Sequence, residues 1–169
     1  IYVLKNKKDI IYFEAGNPPK KNFSSCYQSG PLSFEYYFDN QKIITNSGFG
    51  VNISNKARLL SRFTSSQTAL CLNDTSIVGF EKSNMMNKAY GFLTKRDFKI
   101  LGLEHKNDSN EVQVKAGHDA YLKNFGCIHN RYISVDKINN KVVGQDSLIR
   151  KSINSKIKYD IRFHLYPGL

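Results

Sequence analysis

The sequence predicts an all-β fold, an antiparallel β-sandwich, and three observations lead there. About ten short apolar or aromatic runs follow one another closely, separated by turn-forming residues. Several of them alternate with period two: Val112, Val114 and Ala116 share one side, and Ile128, Asn130 and Tyr132 oppose His129, Arg131 and Ile133. No segment demands a helix longer than a turn or two.

Taken in order, Ile1 to Leu4 and Ile10 to Glu14 flank Lys5-Asn6-Lys7-Lys8-Asp9 and read as a hairpin. Gly16 to Ser25 is a loop, because Pro18 and Pro19 cannot sit in a sheet ladder. Leu32 to Phe38 is extended, and Asp39-Asn40-Gln41 turns it into Lys42 to Asn46. Ser47 to Lys56 is an irregular connection. Arg62 to Ser76, RFTSSQTALCLNDTS, reads as a strand with a mouth of small hydroxyl side chains. Ala69, Cys71 and Asn73 point one way along it, and Leu70 and Leu72 the other.

From Ile77 to Lys99 the pattern blurs; Met85, Ala89 and Leu93 have helical spacing, but Gly91 interrupts it. Strands resume at Phe98 to His105, Glu111 to Ala116, Gly126 to Val135, Lys141 to Ile149 and Lys158 to Leu165, with turns at Asn107 to Asn110 and Asp136 to Asn140.

A length of 169 residues suits one domain with a real core. Lysine and arginine outnumber aspartate and glutamate by 25 to 14, so the surface favours polyanions. The lysines are scattered and no arginine-rich block occurs, which argues against nucleic acid. Cys26, Cys71 and Cys127 form no CxxC pair, so neither a disulfide framework nor a thiolate zinc site is expected, and all three read as small buried side chains. No apolar run reaches the ~20 residues of a membrane helix, so no membrane partner is expected. The start at Ile1 and the end just after a strand-like run read as those of a fragment.

Imidazole and carboxylate groups a strand apart are what a divalent ion, zinc or calcium, needs, and they also serve proton transfer. His118-Asp119 and His129 are the candidates, against the simpler reading of a turn cap and a sheet-packing ring. Arg62 and Arg131 suit bidentate contact with sugar carboxylates, or equally a structural ion pair. His105 and His164 read as turn residues.

Several segments, in order, resemble the C-terminal β-sandwich region of the heparinase II/III-like polysaccharide lyase family. They are Ser29-Gly30-Pro31-Leu32-Ser33-Phe34-Glu35, Asn46-Ser47-Gly48, RFTSSQTALCLNDTS and His118-Asp119-Ala120-Tyr121. They continue with Gly126-Cys127-Ile128-His129-Asn130-Arg131, Gly144-Gln145-Asp146 and Arg162-Phe163-His164-Leu165. The resemblance implies a single sandwich domain over residues 1–169, with the family's N-terminal helical toroid outside this chain. It implies β-elimination on uronic-acid-containing polysaccharide. A base removes the proton beside the sugar carboxylate, hydrogen-bonding or positive groups neutralise that carboxylate, and an acid protonates the leaving oxygen. It also implies a bacterial, periplasmic or cell-envelope setting.

The family's strand histidine falls on Gln67, which can hydrogen-bond to substrate but cannot act as a base. The resemblance makes Gln67 the doubtful catalytic position and Arg62, Gln67, Arg131 and Tyr121 the substrate contacts. It makes His118, Asp119 and His129 the metal set. An isolated piece is expected to be inactive. The competing expectation is a non-catalytic carbohydrate-binding or domain-packing sandwich, with Tyr36, Tyr37 or Tyr121 stacking on sugar faces.

Overall fold

Two antiparallel sheets face each other, as the alternation predicts. The computed structural model describes residues 1–81, 85, 91–95, 97–151 and 156–169. The strands are β1 (Tyr2–Lys5), β2 (Asp9–Phe13), β3 (Phe34–Phe38), β4 (Gln41–Thr45), β5 (Leu70–Leu72), β6 (Ile100–Asn107), β7 (Glu111–His118), β8 (Cys127–Asp136), β9 (Lys141–Arg150), β10 (Tyr159–Ile161) and β11 (His164–Leu165). One sheet runs β1-β2-β3-β4-β11, the other β6-β7-β8-β9, and β10 pairs with β5 in a small third ladder. Leu4, Ile11, Phe13 and Leu32 on one side meet Val112, Val114, Ile133 and Val135 on the other, forming the core between the sheets. A second core gathers Leu70, Leu72, Ile77, Val78, Phe98, Tyr121 and Cys127 beneath β5.

Turn chemistry sets the registers. Asp39 and Asn40 both have positive φ, the conformation of a two-residue hairpin whose twist matches its strands. Asp108 accepts from the amides of Asn110 and Glu111, and Asp136 from those of Ile138 and Asn139, closing the β6–β7 and β8–β9 hairpins.

Four elements differ from the sequence expectation. The stretch Arg62 to Ser76 is a strand only at Leu70–Leu72, and all three residues are buried, so its alternation does not separate a wet face from a dry one. Starting at the end of the expected irregular connection and running past it, a short helix, α1 (Asn55–Leu60), forms where Ser54 caps the amide of Ala57. The expected strand Lys158 to Leu165 is broken in two, because β10 joins β5 whereas β11 joins β4. Leu32 leaves the extended conformation for φ +61, with its amide on Glu14 O. Ala89, one of the three residues at helical spacing, lies outside the described residues. A further four-residue helix, α2 (Leu122–Phe125), ends at Gly126 in the left-handed region.

Arg62 is fully buried and acts inside the protein. Its Nε, Nη1 and Nη2 donate to Tyr27 O, Phe92 O and Ser24 O, and its guanidinium stacks over the Phe80 ring at 4.5 Å. Burial pulls the group down to about 10, still charged at neutral pH. Arg62→Leu strands three carbonyls at about 1–3 kcal/mol each, so urea unfolding is expected to show a loss of roughly 3 kcal/mol or more. A loss below about 0.5 kcal/mol, the size of an ordinary surface change, contradicts this role.

Candidate functional site

The outer face of the five-stranded sheet carries a cleft of about 750 Å³. Its floor follows from strand alternation. On β2 and β3, Ile11, Phe13 and Tyr36 turn toward the core or a buried partner, so Tyr12, Glu35 and Tyr37 face outward. Tyr12 and Tyr37 meet edge to face with centroids 5.8 Å apart. The loop bearing Cys26, Tyr27 and Gln28 forms one side, and Asn46 and Gln67 close the other.

Gln67 arrives there because its neighbour is tied down. The Thr68 amide donates to Asn46 Oδ1 at 2.8 Å, and Thr68 Oγ1 both donates to Phe34 O and accepts from the Phe34 amide. Gly30 lies against the Gln67 side chain so closely that a Cβ on it would stand 2.8 Å from Gln67 Cγ. Gln67 is only 2% exposed, and its Nε2 donates one of its two hydrogens to Ser61 O at 2.8 Å, which fixes the amide's orientation. The carbonyl oxygen can accept a hydrogen bond and the second Nε2 hydrogen can donate one.

Both cleft carboxylates are engaged. Glu14 accepts from the Gly16 amide, and Glu35 accepts from Lys42 Nζ, Thr45 Oγ1 and the Asn46 amide. Burial, with Glu14 nearby, pushes the Tyr27 phenol up, so it stays protonated across the neutral range.

The remaining candidates lie behind this wall, between the sheets. On β8 the inward residues are Cys127, His129, Arg131, Ile133 and Val135, and the register sets His129 beside His118 of β7 and Arg131 beside Asp146 of β9. Arg131 Nε and Nη2 grip Asp146 at 2.8 and 3.0 Å, while its Nη1 donates to Leu32 O and Thr68 O. His129 Nε2 lies 2.6 Å from Asp146 Oδ1, and His129 Nδ1 lies 3.2 Å from His118 Nε2. An ionised carboxylate only accepts, so the tautomers follow in sequence. His129 donates from Nε2, His118 donates from Nε2 to His129 Nδ1, and His118 Nδ1 is left as a buried lone pair with no partner.

The sequence candidates are thus corrected in three respects. Arg62, Arg131 and Tyr121 are nearly or wholly buried, and their polar groups are used internally, Tyr121 Oη donating to Leu70 O; none contacts the cleft. Asp119 does not join the histidines, since its carboxylate accepts from the Lys99 amide. Among the described residues no three histidine, cysteine or carboxylate side chains are grouped to hold a metal, and of the four ring nitrogens of His118 and His129 only His118 Nδ1 is uncommitted, so these residues do not fit a zinc or calcium site. Cys71 and Cys127 are buried as expected, but Cys26 is exposed at the cleft.

Sequence reasoning named Tyr37 but missed Tyr12, Tyr27, Asn46 and the role of Asp146. The alternation of Ile11 with Tyr12 and of Tyr36 with Tyr37 carried a signal for the floor. Nothing local marked Asp146, whose role depends on its register with Arg131.

Titration of the buried cluster has a definite sign. Burial, then His129 and Arg131, hold His118 well below its ordinary value. Burial lowers His129 too, outweighing the opposing bond to Asp146. Burial alone would raise Asp146, but the hydrogen bonds from His129 and Arg131 hold it below the usual carboxylate value. The folded histidines stay neutral where the unfolded chain takes up protons. Stability is therefore complete above about pH 6.5 and falls below it by up to about 1.4 kcal/mol per pH unit for each histidine. The Asp146 share persists above its unfolded value of 3.8 and is lost as pH falls through its lower folded value. Urea titrations of wild type and His118→Asn from about pH 7.5 to 5 are expected to show a flatter pH dependence in the variant. A difference between the two that is constant with pH contradicts this assignment.

No curated protein matches this sequence. The crystal structure of heparinase III is similar in fold, with a TM-score of 0.63 at 16% identity, over 95% of this chain and 22% of that one. The chain therefore spans less than a quarter of the length of that protein. Residues 1–169 match the model of the heparinase II/III-like, C-terminal family, so this chain belongs to that family.

Proposed function

We propose that this chain forms one wall of the substrate cleft of a polysaccharide lyase acting by β-elimination on a uronic-acid-containing polymer. The observation that carries the reading is the place of Gln67. The residue at the family's histidine position stands on the wall of a tyrosine-floored cleft, beside Asn46. The cleft volume, about 750 Å³, is that of an ordinary small-ligand site.

The wall binds and orients; it does not transfer the proton. Gln67 has no ionisable group, and Glu14 and Glu35 are held by other partners. Tyr12 and Tyr37 offer apolar faces to the sugar, and Gln67 and Asn46 offer amides to its hydroxyls. In this reading the acid and base come from the helical toroid of the parent protein, and periplasm or cell envelope is its location. A second reading, a non-catalytic carbohydrate-binding sandwich, is favoured by the same tyrosines.

Cys26 provides the test, because it is exposed on the cleft while Cys71 and Cys127 are buried. A uronate oligosaccharide at about ten times its dissociation constant is expected to slow alkylation of Cys26 about tenfold, and a neutral glucan is expected not to. Equal protection by both sugars favours the binding module, and no protection by either overturns both readings. The chain alone is expected to give no unsaturated-product absorbance with uronate polymers; robust turnover contradicts the division of labour.

A further inference from the structure

The cleft does not end at its own rim. Asn17 and Pro19 line both it and a second depression of about 360 Å³, which is walled further by Lys20, Phe98 and Lys99. Asp97, Phe98 and Lys99 in turn line a third, of about 560 Å³, which adds Lys95 and Lys123. Three neighbouring depressions, each sharing lining residues with the next, follow one another as a track along the surface.

Its chemistry changes along the way. The first part is floored by tyrosines and amides, with its carboxylates tied to Gly16, Lys42, Thr45 and Asn46. The far part is lysine-lined: Lys20, Lys95, Lys99 and Lys123 are all exposed. Three lysines outside it are paired, Lys8 with Asp39, Lys21 with Glu81 and Lys42 with Glu35. Among the described residues none of these four has an ion-pair partner. Two aspartates also line the far part, and one of them, Asp119, is turned to the Lys99 amide. Phe98, buried beneath, gives the lysines a rigid support.

We infer that the lysine-lined end of the track is an extension subsite for a polyanion, which holds the carboxylates or sulfates of sugars beyond those seated over Tyr12 and Tyr37. This deepens the proposed function and rests on it. A lysine ammonium is a mobile point charge, so four of them favour repeated anions along a flexible polymer without fixing one sugar. The subsite supplies affinity that grows with polymer length and weakens with salt, because a bound polyanion releases counterions.

The test compares tetrasaccharides with decasaccharides of an unsulfated alginate series and of a sulfated heparin series. Binding to the wild-type chain and to the triple variant Lys95→Gln/Lys99→Gln/Lys123→Gln is read by fluorescence polarisation across a salt series, alongside Cys26 protection. Wild type is expected to bind decasaccharides about tenfold more tightly than tetrasaccharides, with a steeper salt slope. The variant is expected to lose that gain and keep tetrasaccharide binding and Cys26 protection. A gain in the heparin series alone assigns the subsite to sulfates, and a gain in both assigns it to carboxylates.

A variant that keeps the full length dependence overturns the extension and leaves the cleft reading intact. Failure of every oligosaccharide to protect Cys26 overturns the cleft reading and the extension together. The substitutions are at exposed positions, so loss of folding does not obscure the outcome.

Discussion

A guanidinium between two sheets organises this protein. Arg131 is 2% exposed, and it reaches both layers at once. On its own sheet it grips Asp146 with two nitrogens, and across the core its third nitrogen holds Leu32 O and Thr68 O. Removing a buried charge from water costs several kcal/mol unless pairing is complete, and breaking such a pair by deleting one partner costs about 3–5 kcal/mol. Here the pairing is close to complete, and Phe34 packs over the guanidinium at 5.5 Å. His129 and His118 extend the same chain of bonds and fix how Asp146 faces Arg131.

The consequence for the cleft is indirect but specific. Thr68 O is held from behind by Arg131, and the Thr68 amide from the side by Asn46. Gln67 is therefore followed by a residue whose amide and carbonyl are both fixed. Leu32, also held by Arg131, carries the positive φ that a non-glycine residue adopts only when its surroundings demand it. Its amide donates to Glu14 O, so the turn that lets Gly30 press against Gln67 is fixed by the same cation. Arg62 performs a similar task for the Ser24–Tyr27 loop on the opposite side of the cleft.

The sandwich was legible because strand alternation and turn residues are local signals. Val112, Val114 and Ala116 face inward as one set, and Asp39-Asn40 makes the tight turn its residue types call for. The face of β8 that turns inward was not legible. Its two alternating sets are Ile128, Asn130 and Tyr132 against His129, Arg131 and Ile133, and hydropathy does not favour the second. That set is buried because Asp146, Leu32 and Thr68, distant in sequence, complete its hydrogen bonds. For the same reason the sequence leaves Arg62 and Arg131 open between substrate contact and structural pairing until their partners are seen. The family resemblance located Gln67, but only its bond to Ser61 and its packing against Gly30 show how its amide is oriented.

Hydrogen exchange in Arg131→Lys, compared with wild type, tests the central role of this cation most directly. A lysine ammonium cannot hold Asp146, Leu32 O and Thr68 O together, so the Leu32 and Thr68 amides, bonded to Glu14 O and Asn46 Oδ1, are expected to lose protection selectively. The β7–β8 and β8–β9 ladders are expected to keep theirs. Unchanged protection at Leu32 and Thr68, or an equal loss throughout the sheets, would contradict the account.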